Sequence, residues 1–252
     1  MPADRRDEIN QYIQTRGEVR LRELEVRYPA ISSMTLRRDL EYLEHQGQII
    51  RIRGGAKSLA HLSMLKEAAY TQRQAENMDA KIVIAEKAVK LVTADRSVYI
   101  DSGTTCTCLA QRLPDLSLFV LTPAPNIALE LVKNTSIKIN LTGGQLNRET
   151  LTLSGFNAAE YVKSLNIDIA FMATSAFSLD NGFTCGDYYE AELKRLIIHR
   201  ARQVVMLADA SKINLGMPYT FARLQDVYAL ITDQTLPDDY QRAARQAHVL
   251  LL

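Results

Sequence analysis

The nine residues 32–40, Ser-Ser-Met-Thr-Leu-Arg-Arg-Asp-Leu, constrain this chain more than any other stretch. Ser32 is suited to cap a helix, because a Ser hydroxyl accepts from the free amides of a first helical turn. Leu36, Leu40 and Leu43 recur at i, i+4 and i+7 and form an apolar stripe that must pack inward. Ser33, Thr35, Arg37 and Arg38 are then left on the outer surface of the first turns. In helix-turn-helix proteins the first residues of the second helix reach base edges. Arg pairs bidentately with guanine, and Thr meets a base edge or the thymine methyl. An ordinary amphipathic helix with a solvated face has the same makeup, so the flanking sequence decides between the two.

Upstream, Ile9, Tyr12 and Ile13 have helical spacing, and Gly17 ends that helix. Leu21 and Leu24 start a short second helix reaching about Tyr28, and Pro29-Ala30 breaks the chain before the Ser32 cap. Downstream, residues 48–53 interleave β-branched residues with Arg, and Gly54-Gly55 closes the run with a turn. This predicts a two-stranded wing whose Arg51 and Arg53 touch phosphate, contacts that position a protein without specifying sequence. Residues 1–57 hold 11 Lys/Arg and 9 Asp/Glu, a net of +2. The expectation of DNA binding therefore rests on where the arginines sit rather than on bulk charge. The candidate DNA-binding set is Ser32, Ser33, Met34, Thr35, Arg37, Arg38, Arg51 and Arg53.

The run TLRRDLEYLEHQGQIIRIRGGA resembles the N-terminal signature of the DeoR family of bacterial transcriptional regulators. It matches that family's Ser-x-x-Thr-Ile-Arg-Arg-Asp-Leu helix and its Arg-x-x-Gly-Gly-Ala wing, with Leu36 in place of the usual Ile. The resemblance implies a winged helix-turn-helix head and double-stranded operator DNA as a partner.

At 252 residues the chain has room for two domains. No apolar run reaches the ~18 residues needed to span a membrane. The N-terminus lacks the apolar core of a signal peptide, so a cytoplasmic location is expected. Three cysteines, Cys106, Cys108 and Cys185, make no paired framework and suit a reducing compartment. Cys106-Thr107-Cys108 falls short of a closed zinc site, which needs four ligands. These cysteines read as small packed side chains, with no metal and no cofactor expected.

Residues 58–78 read as a linker, with a helical turn in the middle, between the head (1–57) and a second domain (79–252). In that domain Asp79 would cap a helix to about Thr93 with Ile82, Ala85, Val89 and Val92 on one face. Strands are then predicted at 98–100, 118–121, 137–141, 167–172, 204–207, 227–231 and 249–252. Helices are predicted at 105–112, 126–132, 158–164 and 189–201. Such alternation argues for a largely parallel α/β sheet with helices on both faces, and ligands of such sheets bind at the carboxyl ends of the strands.

Four loops at strand ends or helix starts carry polar residues. Asp101-Ser102-Gly103-Thr104-Thr105 joins a strand to a helix. There a glycine allows close approach, and free amides and hydroxyls sit at a helix N-terminus that favours an anion. The loop lacks the Lys of a P-loop, which argues against a nucleoside triphosphate. A plain Ser/Thr-capped turn has the same residues. Gly143-Gly144 is either a turn or a close approach to ligand. Glu190 and Lys194, at i and i+4, would make a modest helix-surface pair. Asp209-Ala210-Ser211-Lys212 follows a strand and presents Lys212 to a phosphate or to solvent.

Together these motifs resemble the C-terminal sensor domain of the same family. That domain is related in fold to ribose-5-phosphate isomerase and binds phosphorylated sugars or related intermediates as effectors. The resemblance spans roughly residues 5–235. It implies that Asp101, Ser102, Gly103, Thr104 and Thr105 hold phosphate, with Gly143, Gly144, Glu190, Lys194 and Lys212 lining the same pocket. The function this implies is a ligand-responsive transcriptional regulator, a repressor of carbohydrate-metabolism genes. A head of this size reads only a short half-site, so a homo-oligomer, dimer or tetramer, is expected. The alternative is a sugar-phosphate isomerase-like enzyme with a DNA-binding appendage, recruiting Glu190, Glu192 and Lys212. The sequence shows neither a metal set nor a nucleophile–base pair to support it.

Overall fold

A computed structural model describes residues 2–46, 48–52, 54–58 and 69–252. The chain divides into two compact units, residues 1–66 and 67–252.

In the first unit the chain runs α1 (Pro2–Arg16), β1 (Glu18–Arg20), α2 (Leu21–Arg27), α3 (Ser33–His45), β2 (Ile49–Ile52) and β3 (Gly55–Ser58). Gly17, at a positive φ of 76°, donates its amide to the Ile13 carbonyl at 2.8 Å and stops α1. Ile9, Ile13, Leu24, Leu36, Leu43 and Ile49 are fully buried together. The leucine stripe of α3 therefore faces the core as its spacing requires. The wing is larger than the sequence suggested. Its two strands join β1 in a three-stranded antiparallel sheet of order β1-β3-β2. Strand β1 is only three residues long, too short to show an alternating pattern, but Val19 is fully buried. A side chain on Gly55 would run into the Val19 backbone, so close strand pairing requires glycine there. Arg53 lies outside the described residues.

The second unit opens with α4 (Tyr70–Ala75) and α5 (Met78–Val89). The span read as a linker thus contributes to structure at both ends: Ser58 pairs in β3, and Tyr70 in α4 is buried. Residues 59–68 lie outside the described residues. Helix α5 begins one residue before Asp79, and its N-cap is Asn77 rather than Asp79. Its buried face is Lys81, Ile84, Ala85 and Ala88, rotated from the one expected. The cause is Lys81, whose ammonium turns inward to donate to the carbonyls of Arg73 and Glu76.

There follow β4 (Arg96–Ile100), α6 (Thr104–Arg112), β5 (Leu118–Thr122), α7 (Pro125–Leu131), β6 (Ile137–Leu141), β7 (Gln145–Asn147), β8 (Thr152–Ser154), α8 (Phe156–Lys163) and β9 (Ile167–Ala173). The chain continues with β10 (Ala176–Ser178), β11 (Gly182–Cys185), α9 (Tyr188–Arg200), β12 (Ala201–Leu207), β13 (Tyr219–Ala222), β14 (Ala229–Ile231), α10 (Asp238–Gln246) and β15 (Leu250–Leu251).

Seven of these strands form one parallel sheet of order β15-β14-β12-β9-β4-β5-β6. Both faces are covered. Ile84, Leu109, Ile127 and Leu131 pack α5, α6 and α7 on one. Val162, Leu193, Ile197 and Tyr240 pack α8, α9 and α10 on the other. Strands buried on both faces read as near-continuous apolar runs, which is why they are visible in the sequence. The sequence reading omits the antiparallel sheet β10-β11-β13, the hairpin β7-β8 and α10. Helix α10 buries only Tyr240 and Ala244, too thin a stripe to stand out. The connection that follows β4 runs to one side, toward β5, and the one that follows β9 runs to the other, toward β12. The sheet therefore has its topological switch point between β4 and β9, where such sheets bind ligands.

Candidate functional site

The head carries its candidate residues on α3 and the wing. Ser32 Oγ accepts from the Thr35 amide at 3.2 Å, the expected cap. Met34, Arg37 and Arg38 are exposed. Ser33, also exposed, is committed within the head, its hydroxyl donating to Glu25 on α2 at 2.6 Å. The orientation of α3 is set by a group that sequence reasoning passed over. Asp39 is buried and accepts from Arg5 Nε at 2.7 Å and Arg6 Nε at 2.8 Å, tying α3 to α1. The Arg5-Arg6 pair spaced against a lone inward Asp was the available signal.

Arg51 is likewise engaged. Its Nε donates to Glu44 at 2.6 Å, and its backbone amide donates to the same carboxylate at 3.0 Å. These bonds hold the Glu44 carboxyl below the usual range and pin β2 to the last turn of α3. Arg37 and Arg51 both line a groove between α3 and the wing.

In the second unit the site is built at the switch point. Asp101 directly follows β4, and Ala173 ends the neighbouring β9. Asp101 is 1% exposed, and both its oxygens are used. Oδ1 accepts from the Ser102 amide at 2.9 Å and the Tyr99 hydroxyl at 3.3 Å. Oδ2 accepts from the Ala173 amide at 3.0 Å and from Lys194 Nζ. Asp101 therefore stitches β4 to β9 and holds Lys194, rather than facing a phosphate, which its own charge would repel. Lys194 is 2% exposed. Its ammonium also donates to the Ala173 carbonyl at 3.1 Å and lies 3.2 Å from Glu190 Oε1. Burial alone would lower its pKa, but Asp101 and Glu190 outweigh that and raise it, so Lys194 is charged. The expected helix-surface pair Glu190–Lys194 is thus a buried one. It is set in place by Asp187, which caps α9 by accepting from the Glu190 amide at 2.9 Å.

A cleft opens beside this cluster, lined by Ser102, Gly103, Glu190 and Lys194 together with Arg73, Thr150 and residues 173–175. Gly103 has a φ of 109°, a value that disfavours any side chain, and it precedes α6. Thr104 and Thr105 are the first residues of that helix and are buried. Thr104, Thr105, Gly143, Gly144 and Lys212 are not among the cleft's lining. Gly144 is glycine for packing, since a side chain there would meet the backbone oxygen of Ser154 in β8. Lys212 ends a short turn capped by Asp209 and lies nearer Lys81.

Arg73, Thr150, Thr174 and Ser175 were missed by sequence reasoning. Thr174 and Ser175 follow β9 directly, so the strand-end rule applied to β9 would have found them. Arg73 sits in the span read as linker, and Thr150 in a turn with no periodic signal. All three cysteines are buried, and burial pushes the Cys106 thiol well above its usual range. The residues an isomerase reading would recruit do not converge. Glu190 is bound up with Lys194, Glu192 is exposed and paired with Arg195, and Lys212 lies elsewhere. No helix among the described residues is long and apolar enough to cross a membrane.

Comparison with known proteins agrees with this division. Residues 5–61 match the DeoR-like helix-turn-helix domain, and residues 76–234 match the DeoR C terminal sensor domain. The chain is 34% identical over 222 residues to the HTH-type transcriptional regulator GlpR of Haloferax volcanii, covering 88% of this chain and 86% of that one. It is 31% identical to the HTH-type transcriptional regulator GolR of Listeria innocua, covering 93% and 92%. Among solved structures it is similar to ribose 5-phosphate isomerase A of Methanocaldococcus jannaschii over 55% of each chain, with 18% identity and a TM-score of 0.41. A helix-turn-helix head and a sensor domain, matched in order along one chain, place this protein in the DeoR family of DNA-binding transcriptional regulators.

Proposed function

We propose that this protein is a repressor of carbohydrate-metabolism genes whose second unit binds a phosphorylated sugar in the cleft at the β4/β9 switch point. The observation that carries the reading is the cleft itself. It places Ser102 and Gly103 at the start of α6, where the helix end favours an anion, beside the buried Asp101–Lys194–Glu190 cluster. Relatives named as a putative aga operon transcriptional repressor in Escherichia coli and as a lactose phosphotransferase system repressor in Streptococcus mutans support both the sign of regulation and the sugar class.

In the head, Met34, Thr35, Arg37 and Arg38 face the base edges, while Ser32, Ser33, Arg51 and Arg53 serve the backbone side of the contact. Useful affinity requires two heads at a fixed spacing, so the chain acts as a homo-oligomer assembled through its α/β unit. The effector changes DNA affinity only through different affinities for DNA-competent and DNA-incompetent states.

Replacing Thr104 and Thr105 together by Ala tests the assignment. Operator binding is expected to persist while release by a sugar phosphate is lost. Release with an unchanged midpoint would show that the first turn of α6 does not hold the effector. Sedimentation of a monomer at micromolar concentration, with and without DNA, would remove the oligomer from the account.

A further inference from the structure

We propose that the ligand is held not only by the β4–α6 loop but also from the outer side, by Arg73 on α4 and Thr150 in the β7–β8 turn. On this view Arg73 meets the ligand's anionic group and Thr150 meets one of its oxygens. The inference rests on reading the cleft as the ligand site and extends that reading to two residues outside the sequence motifs.

Charge gives the first argument. The buried cluster behind the cleft sets two carboxylates, Asp101 and Glu190, against the single ammonium of Lys194. The three N–H donors of Lys194 face Asp101, Glu190 and the Ala173 carbonyl. A cleft with that balance alone would repel an anion. Arg73 lines the same cleft and brings a second cation to it. Its planar fork suits a phosphate better than a point charge does.

Thr150 gives the second, independent argument. It is 4% exposed and lines the cleft, yet its hydroxyl makes no hydrogen bond among the described residues. A buried hydroxyl left unpaired costs about 1–3 kcal/mol, and buried polar groups without partners are uncommon. A ligand oxygen in the cleft supplies the missing partner.

The two residues are also mechanically joined. The Tyr70 amide at the start of α4 donates to the carbonyl of Glu149, next to Thr150, at 2.8 Å. The Tyr70 hydroxyl is 2.9 Å from Thr107 Oγ1 on α6 and accepts from Asn126 Nδ2 at 2.9 Å. Lys81 closes the other end of α4 through the carbonyls of Arg73 and Glu76. The cleft they enclose measures about 20 Å³, enough for roughly one water and far too small for a sugar phosphate. A sugar phosphate therefore needs the lining to open, and α4 and the β7–β8 turn are the parts of it that carry Arg73 and Thr150.

The test is isothermal titration calorimetry on the full chain. The probes are inorganic phosphate, glycerol 3-phosphate, ribose 5-phosphate, fructose 1-phosphate and fructose 6-phosphate, each sugar also run without its phosphate. Arg73→Met, Arg73→Lys and Thr150→Val are compared with the unaltered chain and with the Thr104→Ala/Thr105→Ala variant, after thermal melting shows each to be folded. For the tightest probe, Arg73→Met should weaken binding about tenfold or more and Arg73→Lys less, and Thr150→Val should weaken it about fivefold or more. Thr150→Val preserves shape, so it carries the test even if Arg73→Met fails to fold. If the Thr104/Thr105 variant loses binding while Arg73→Met and Thr150→Val bind as the unaltered chain does, the inference is overturned and the cleft assignment stands. If the unaltered chain binds none of the probes, both fall.

Discussion

The ammonium of Lys194, in the middle of α9, donates to Oδ2 of Asp101 just after β4, 93 residues away in the chain. That contact brings two of the sequence motifs into one site and ties the helix layer to the switch point of the sheet. It also gives Asp101 a different role from the one its place in a phosphate-type loop suggests. Asp101 holds the cation and both strand ends.

Removing the cation should therefore unsettle the domain as well as the site. Lys194→Met leaves Asp101 and Glu190 buried without their partner, and breaking a buried pair in this way costs about 3–5 kcal/mol. Urea denaturation of the full chain reads this, and the double variant Asp101→Asn/Lys194→Met should lose less than the two single losses added, because the sites are coupled. A single-variant loss below about 1 kcal/mol would mean that the pair behaves as a surface contact.

Asp39 should matter to DNA binding without touching DNA. Asp39→Ala removes the acceptor shared by Arg5 and Arg6, which are partly exposed and can regain water. The expected loss of stability is about 1–3 kcal/mol, together with weaker operator binding because α3 is no longer held to α1. Unchanged operator affinity would show that the leucine stripe alone orients the recognition helix.

Arg38 is exposed near the start of α3 and engaged by none of the contacts that orient the helix. Arg38→Ala should cost about 1–3 kcal/mol of operator affinity and relax sequence preference if it reads a base. Arg51 differs, because Glu44 already holds its guanidinium. Arg51→Ala and Glu44→Ala should both weaken binding by loosening the wing. Tighter binding by Glu44→Ala would show instead that Glu44 competes with phosphate for Arg51.

The acid limb of stability has a specific contributor. Asp168, at the start of β9, accepts from the Ser97 amide at 3.0 Å and its hydroxyl at 2.9 Å. Those bonds, with Arg202 and Arg96 nearby, outweigh burial and lower its pKa from 3.8. A carboxyl with a lowered folded-state pKa stabilises above its unfolded value, and the contribution is lost as pH falls through the folded value. Asp168→Asn should therefore reduce stability at neutral pH by about 1–2 kcal/mol and flatten the melting-temperature profile below pH 4. An unchanged acid profile would show that Asp168 is not ionised to advantage.

The recognition helix and the central strands were legible because their signals are local. Ser32 and the leucine stripe lie within three turns, and a strand buried on both faces is an apolar run. Strands β1, β7, β8, β10, β11 and β13 are three or four residues long and owe their existence to distant partners. The face of α5 was misjudged because Lys81, a residue expected in solvent, finds two carbonyls inside. At the site, the motif residues Ser102, Gly103, Glu190 and Lys194 do converge. Gly144 serves the packing of β8, and Lys212 belongs to a different corner. Arg73 and Thr150 reach the cleft from segments with no motif, so only the folded chain brings them there.

The most direct measurement is fluorescence anisotropy of a labelled DNA fragment from the region upstream of this protein's own gene. Protein is titrated at fixed salt, since phosphate contacts make affinity salt-dependent, and sugar phosphates are then added. The account predicts tight binding that one sugar phosphate relieves in the unaltered chain but not in the Thr104→Ala/Thr105→Ala variant. Tight binding that no phosphorylated sugar alters, or relief that persists with the same midpoint in that variant, would contradict it.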